Sequence, residues 1–86
     1  MDEKKAAELV ERQFSFDVVG PAMMKVRKNL DNPEICGKLV DALNDAAVEA
    51  FGGDDPAALA AIREASVARV KQYVEACKAG KGKGCS

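Results

Sequence analysis

The chain has 86 residues and contains no histidine and no tryptophan, with only one tyrosine and three phenylalanines. Without histidine there is no Ser-His or Cys-His pair to activate a nucleophile, and the commonest ligand of transition metals is missing. Long apolar runs are also lacking. None approaches the ~20 residues that a helix needs to cross a bilayer, and Met1-Asp2-Glu3-Lys4-Lys5 ahead of an amphipathic stretch does not read as a secretory signal. Alternating β-branched and aromatic residues, the mark of strands, are scarce. Excess charge of one sign is missing too: the net charge is −1, which argues against attachment to nucleic acid or anionic lipid by electrostatics alone. The expectation is a cytoplasmic protein with reduced thiols, no membrane or nucleic-acid partner, no cofactor and no catalytic activity.

Alanine and helix punctuation are what the chain has in quantity. Fifteen residues are alanine, the best helix former and a side chain small enough to let helix axes approach. Asn32-Pro33-Glu34 and Asp55-Pro56-Ala57 each place a capping side chain before a proline and a run of helix formers. Asn or Asp at that position accepts a hydrogen bond from an orphan backbone N–H, and proline at the first helical position gives up an N–H that had no partner. Gly52-Gly53 closes the first of these helices. The reading is an all-α protein, a small three- to four-helix bundle built on an antiparallel hairpin of helices at about 33–51 and 56–79. Residues 1–79 form a single helical domain, and 80–86 form a flexible Gly/Lys tail that starts with Gly80 as a C-terminal cap.

Upstream of the hairpin, residues 3–14 carry Ala6, Leu9, Val10 and Phe14 on one face, with acidic residues at the positive end of the dipole. Residues 14–19 alternate Phe14, Phe16 and Val18, and a lone strand has no partner here, so an extended or frayed connector is expected. Pro21 then starts a short helix to about residue 30. In the hairpin, Ile35, Leu39, Leu43, Ala46, Ala47 and Ala50 form one stripe, flanked by Val40 and Phe51. On the second arm Leu59, Ile62, Ser66, Val70, Tyr73 and Cys77 follow a nearly heptad spacing, widened by Val67 and Val74. At ~1.5 Å per residue the second arm, roughly 36 Å, outruns the first, roughly 28 Å. Val70, Tyr73, Val74 and Cys77 lie on the overhang and need cover, from the preceding helix and the 14–19 connector or from a second copy of the chain.

The chemistry-bearing residues are few. Cys77 and Cys85 are separated by seven residues that include Gly80, Gly82 and Gly84, so the chain can bring them to disulfide distance, and Lys78, Lys81 and Lys83 would favour a thiolate. In the placement of its penultimate cysteine the tail resembles sulfur-relay carrier proteins. That resemblance covers the tail cysteine alone and implies a thiol that carries sulfur. Cys36 falls in the first turn of a helix, where the dipole and free N–H groups favour a thiolate, although Ile35, Leu39 and Val40 beside it favour burial. The three cysteines lack the close spacing of a structural zinc site, so no metal is expected.

Asp41, Asp45 and Glu49 form an acidic stripe at i, i+4 and i+8. It reads as a docking strip for a basic partner, as a face paired across the hairpin with Arg63 and Arg69, or as a simply solvated face. Lys25, Arg27 and Lys28 before an acidic helix have the wrong sign for a DNA-reading helix-turn-helix. Met23 and Met24 are candidates for an adaptable contact surface or for gap filling in the core. Gly52-Gly53 lacks the GxxxxGK pattern of a phosphate loop. The residues expected to engage a protein partner, or a second copy in a homodimer, are therefore Val70, Tyr73, Val74, Met23, Met24, Asp41, Asp45 and Glu49. The alternative is a thiol-based redox or sulfur-carrier protein using Cys77 and Cys85, with Cys36 as a further thiol.

Overall fold

A computed structural model describes residues 2–80 and contains four helices and no strand among them: α1 (Glu3–Gln13), α2 (Phe16–Lys28), α3 (Pro33–Phe51) and α4 (Pro56–Gly80). Each start has a local cause. Asp2 accepts the Lys5 N–H at 2.8 Å to cap α1. Asn32 accepts from the Glu34 and Ile35 N–H groups at 3.0 and 3.2 Å, and the Asp55 carboxylate accepts from Ala57 at 3.2 Å. Both prolines stand at the first helical position, as the caps require. Between α3 and α4 the chain reverses through Gly52, whose φ of +73° lies in the left-handed region and whose N–H bonds back to the Val48 carbonyl at 3.0 Å. The antiparallel hairpin is as expected, and α4 runs on through Gly80, the last described residue. The remainder of the expected tail, 81–86, lies outside the described residues.

The segment at 14–19 departs from expectation. It is not an extended connector: Phe16 opens α2, and the Ser15 carbonyl accepts from Val18 at 3.2 Å and Val19 at 2.8 Å to close a first helical turn. α2 is two helical pieces joined by a kink at Val19. The second resumes at Gly20-Pro21 and runs to Lys28, so the expected start near Pro21 holds and the added element is the turn ahead of it. Having no N–H, Pro21 cannot bond the Asp17 carbonyl, and its ring crowds that group. The backbone yields at Val19, where φ −125° and ψ 22° kink the helix. Ser15 and Asp17, a cap-type residue followed by an acid in the first turn, are the local signal for this start, and the alternation of Phe14, Phe16 and Val18 masks it. At its far end α2 stops at Lys28, where the Asn29 side-chain amide donates to the Lys25 carbonyl at 2.9 Å.

The long axis of the molecule, 39 Å, is set by α4, whose 25 residues extend ~37 Å at 1.5 Å each. α1 packs chiefly along α4 and also touches α3, while α2 packs on α3 and meets α4 only sparsely. The core joins Ala6 and Val10 of α1, Val19, Met23 and Val26 of α2, Leu39, Val40, Leu43 and Ala47 of α3, and Ile62 and Val70 of α4. Ser66, polar but wholly buried in the α4 seam, turns its hydroxyl onto the Ile62 carbonyl at 2.8 Å and so carries no unmet hydrogen bond.

Part of the cover for the overhang comes from the expected place, the first residue of the 14–19 segment. Phe14, directly after α1, sets its ring edge to face against Tyr73 at a centroid distance of 5.3 Å. The Arg69 guanidinium lies 4.3 Å from the centre of the Phe14 ring, and its Nε donates to Glu11 at 2.6 Å. Two further positions differ from their assigned faces. Ala50, placed on the α3 stripe, is exposed, because the last turn of α3 directs Val48 and Phe51 rather than Ala50 at the core. Val67, assigned to widen the α4 seam, is 47% exposed, since it turns toward the side of the hairpin that neither α1 nor α2 covers.

Candidate functional site: the groove between α3 and α4

On that uncovered side a groove of about 370 Å³ runs between the start of α3 and the second half of α4. Pro33, Cys36, Gly37 and Val40 form one wall, and Val67, Val70 and Val74 form the other. The apolar character follows from the sequence: valines at 67, 70 and 74 repeat at spacings of three and four, so they share one helical face. Depth follows from Gly37. A Cβ built there meets nothing within 4 Å, so the missing side chain leaves open space in the wall. The charged lip belongs entirely to α4, where Lys71, Glu75 and Lys78 alternate in sign. Lys78 pairs with Asp31 at 3.0 Å, whereas Lys71 and Glu75 enter none of the ion pairs among the described residues.

The expected interaction residues divide sharply by place. Val70 and Val74 line the groove, although Val70 is itself only 3% exposed. Tyr73 faces away from it, toward Phe14. Its hydroxyl pKa is raised above the ordinary 10.0 by desolvation, with the charge of Arg27 acting in the opposite direction. Met23 is a core residue and Met24 is 44% exposed on the outer side of α2, where Phe16 and Val18 are also exposed. In the acidic stripe, Asp41 accepts from Arg63 at 2.8 Å across the hairpin, while Asp45 and Glu49 line no part of the groove. Arg69, the second cation expected to pair with that stripe, is engaged by Glu11 instead. Of the groove residues, the sequence singles out only Cys36, Val70 and Val74 as site residues, and not Val67, Gly37, Pro33, Val40, Lys71, Glu75 or Lys78. The Val67-Val70-Val74 spacing is plain in the chain, but which side of the seam lies bare depends on where α1 packs.

The cysteines lie in different surroundings. Cys36 is a free, half-buried thiol on the groove wall, and its Sγ–H approaches the Leu30 carbonyl at 3.9 Å. Asn32 already takes the Glu34 and Ile35 N–H groups, and the Cys36 N–H bonds the Asn32 carbonyl at 3.1 Å, so these donors are not directed at the sulfur. Cys77 is 3% exposed and is disulfide-bonded, which departs from the reduced state expected for all three thiols. Cys85, the other half of the expected pair, lies outside the described residues. Among the described residues no group of three or more His, Cys, Asp or Glu side chains could hold a metal ion, and no helix is long and apolar enough to cross a membrane. Comparison with protein-family models, with curated proteins and with solved structures finds no match.

Proposed function

We propose that this protein is a small, non-catalytic interaction module of the cytoplasm, and that a protein partner or a second copy of the chain docks in the α3–α4 groove. The observation that carries the reading is the valine-lined cleft itself, with Val67 47% exposed at its edge. A β-branched side chain on the surface of a short, alanine-rich bundle gains nothing by facing water, and a contiguous apolar strip bordered by charge is the usual form of a docking face. The expected partner is neither nucleic acid nor membrane, because the lip mixes both signs of charge where those partners call for a run of cations. A photo-cross-linking residue at Val67, introduced into the full chain in its native cells, tests the reading. A saturable adduct with one protein species, or with the chain itself, is the expected result; the absence of any specific adduct would sink it.

A second reading is favoured by the disulfide at Cys77. In it, the C-x7-C pair works as a dithiol. The Cys85 thiolate attacks one sulfur of a substrate disulfide, expelling the other as a thiolate that takes up a proton. Cys77 then loses its proton and displaces the first substrate sulfur from the mixed disulfide. The substrate gains two electrons and two protons, which the cysteine pair gives up on forming its own disulfide. Intact mass under reducing and oxidising conditions separates the readings: wild type should gain and lose two hydrogens reversibly, and Cys77→Ser should not. A redox role is discarded if the pair resists reduction by excess thiol under native conditions.

A further inference from the structure

We infer that the occupant of the α3–α4 groove is a second copy of this chain, docked antiparallel about a two-fold axis at the level of residue 73 of α4. The inference deepens the docking proposal and rests on it. Its ground is the pattern of charge on the lip. All the charged side chains bordering the groove lie on α4, while the α3 wall offers Pro33, Cys36, Gly37 and Val40. Lys78 is tied to Asp31, which leaves Lys71 and Glu75, opposite in sign and one turn apart. A surface that binds its own copy must be complementary to itself under a two-fold rotation. Antiparallel pairing about the midpoint between positions 71 and 75 does this: Lys71 faces the partner's Glu75, and Glu75 faces the partner's Lys71. A parallel arrangement would instead set like charge against like.

The apolar floor obeys the same symmetry. Val74 lies one residue from the axis level and Val70 three, so the rotation overlaps the two valine strips at their Val70–Val74 ends and sets Val67 at the level of position 79 in the other copy. Val67, the most exposed of them, then meets the other copy beyond the charged pair. Gly37 allows the close approach, because the space above its Cα is empty and an incoming side chain can enter there. Phe16 and Met24, exposed apolar side chains on α2, do not border this groove and are not part of the contact.

Sedimentation equilibrium of the full chain with the Cys77 disulfide intact, from micromolar to near-millimolar concentration, tests the inference. Wild type should titrate from monomer to dimer, with alkylation of Cys36 on the groove wall slowing as the dimer forms. Val67→Glu and Gly37→Leu should remain monomeric. Both positions are open to solvent or empty space, and unchanged helical circular dichroism would show that the fold survives. Lys71→Glu and Glu75→Lys should each weaken the dimer at least about tenfold by placing like charges face to face. An equimolar mixture of these two variants should associate again, because each then finds its complement. Wild type that stays monomeric throughout, a dimer indifferent to Val67→Glu and Gly37→Leu, or a charge-variant mixture no tighter than its components would overturn the inference. If it fails while the Val67 cross-linker captures a different protein, the docking reading stands and only the occupant is wrong. If the cross-linker also captures nothing, both fall.

Discussion

Leu39, Leu43 and Ile62 are wholly buried, and together they occupy the narrow space between α3, α4 and the helices packed on them. With so much of the remaining apolar content in alanine, these three aliphatic side chains supply a disproportionate share of the buried volume. Leu43→Ala and Ile62→Ala should each destabilise by roughly 2–4 kcal/mol, the transfer loss plus the cavity left behind. Glu64→Ala, at an exposed position, should remain within about 0.5 kcal/mol of wild type. Urea midpoints of the three variants check this ordering, and equal midpoints would mean that the buried faces are wrong. Asn44 makes a contrast on the same helix as Leu43: its Oδ1 is buried without a hydrogen-bond partner, a cost of about 1–3 kcal/mol for a desolvated acceptor. Sequence periodicity identifies Leu43 and Ile62 as core but has no means of showing that oxygen.

Among the elements, the hairpin depends on one backbone conformation. Gly52 stands at φ +73°, which costs an L-residue about 1 kcal/mol or more and glycine almost nothing. A Cβ at Gly52 would meet nothing within 4 Å, so Gly52→Ala isolates the backbone contribution from any clash. It should lower stability by about 1 kcal/mol, read as a shift in thermal midpoint with the helical signal at low temperature unchanged. The two caps and this glycine are all legible in the amino-acid order, because their physics is local. α2 is legible only in part. Its first turn is closed only by backbone bonds to the Ser15 carbonyl, without a side-chain cap, and its kink falls just ahead of Pro21. The alternating Phe14, Phe16 and Val18 point toward an extended chain. In the fold, Phe14 turns to Tyr73 and Val19 enters the core, while Phe16 and Val18 remain exposed.

For the whole molecule, the contact that fastens the first helix to the last is Phe14 between Tyr73 and Arg69, with Glu11 holding Arg69. Phe14→Ala should cost about 2 kcal/mol, less than a fully buried phenylalanine because Phe14 is only half-buried. It should also speed amide exchange in α1 relative to α3. The same packing makes stability depend on pH at the alkaline end. Desolvation raises the Tyr73 pKa above 10.0 in the folded chain, so the unfolded chain loses its phenolic proton first. The resulting contribution is fully present below that unfolded value, 10.0, and is lost as pH rises through the higher folded value. Comparing urea midpoints of wild type and Tyr73→Phe from about pH 8 to beyond the ordinary tyrosine pKa isolates it, and parallel curves would argue against desolvation at this hydroxyl.

The sequence by itself determined the helical class, the hairpin with its boundaries, and most of the buried stripe, since capping, glycine stereochemistry and hydrophobic period act within a few residues of their cause. Tertiary structure decided which sides of those helices are covered. α1, rather than α2, lies along α4, and that choice gives Tyr73 an internal partner, engages Arg69 away from the acidic stripe, and leaves Val67 and Gly37 facing an open groove. The physical reason is that each amphipathic helix specifies a face to bury but not the helix that buries it. That assignment comes from packing all four helices at once, where the choice between neighbours rests on side chains far apart in the chain.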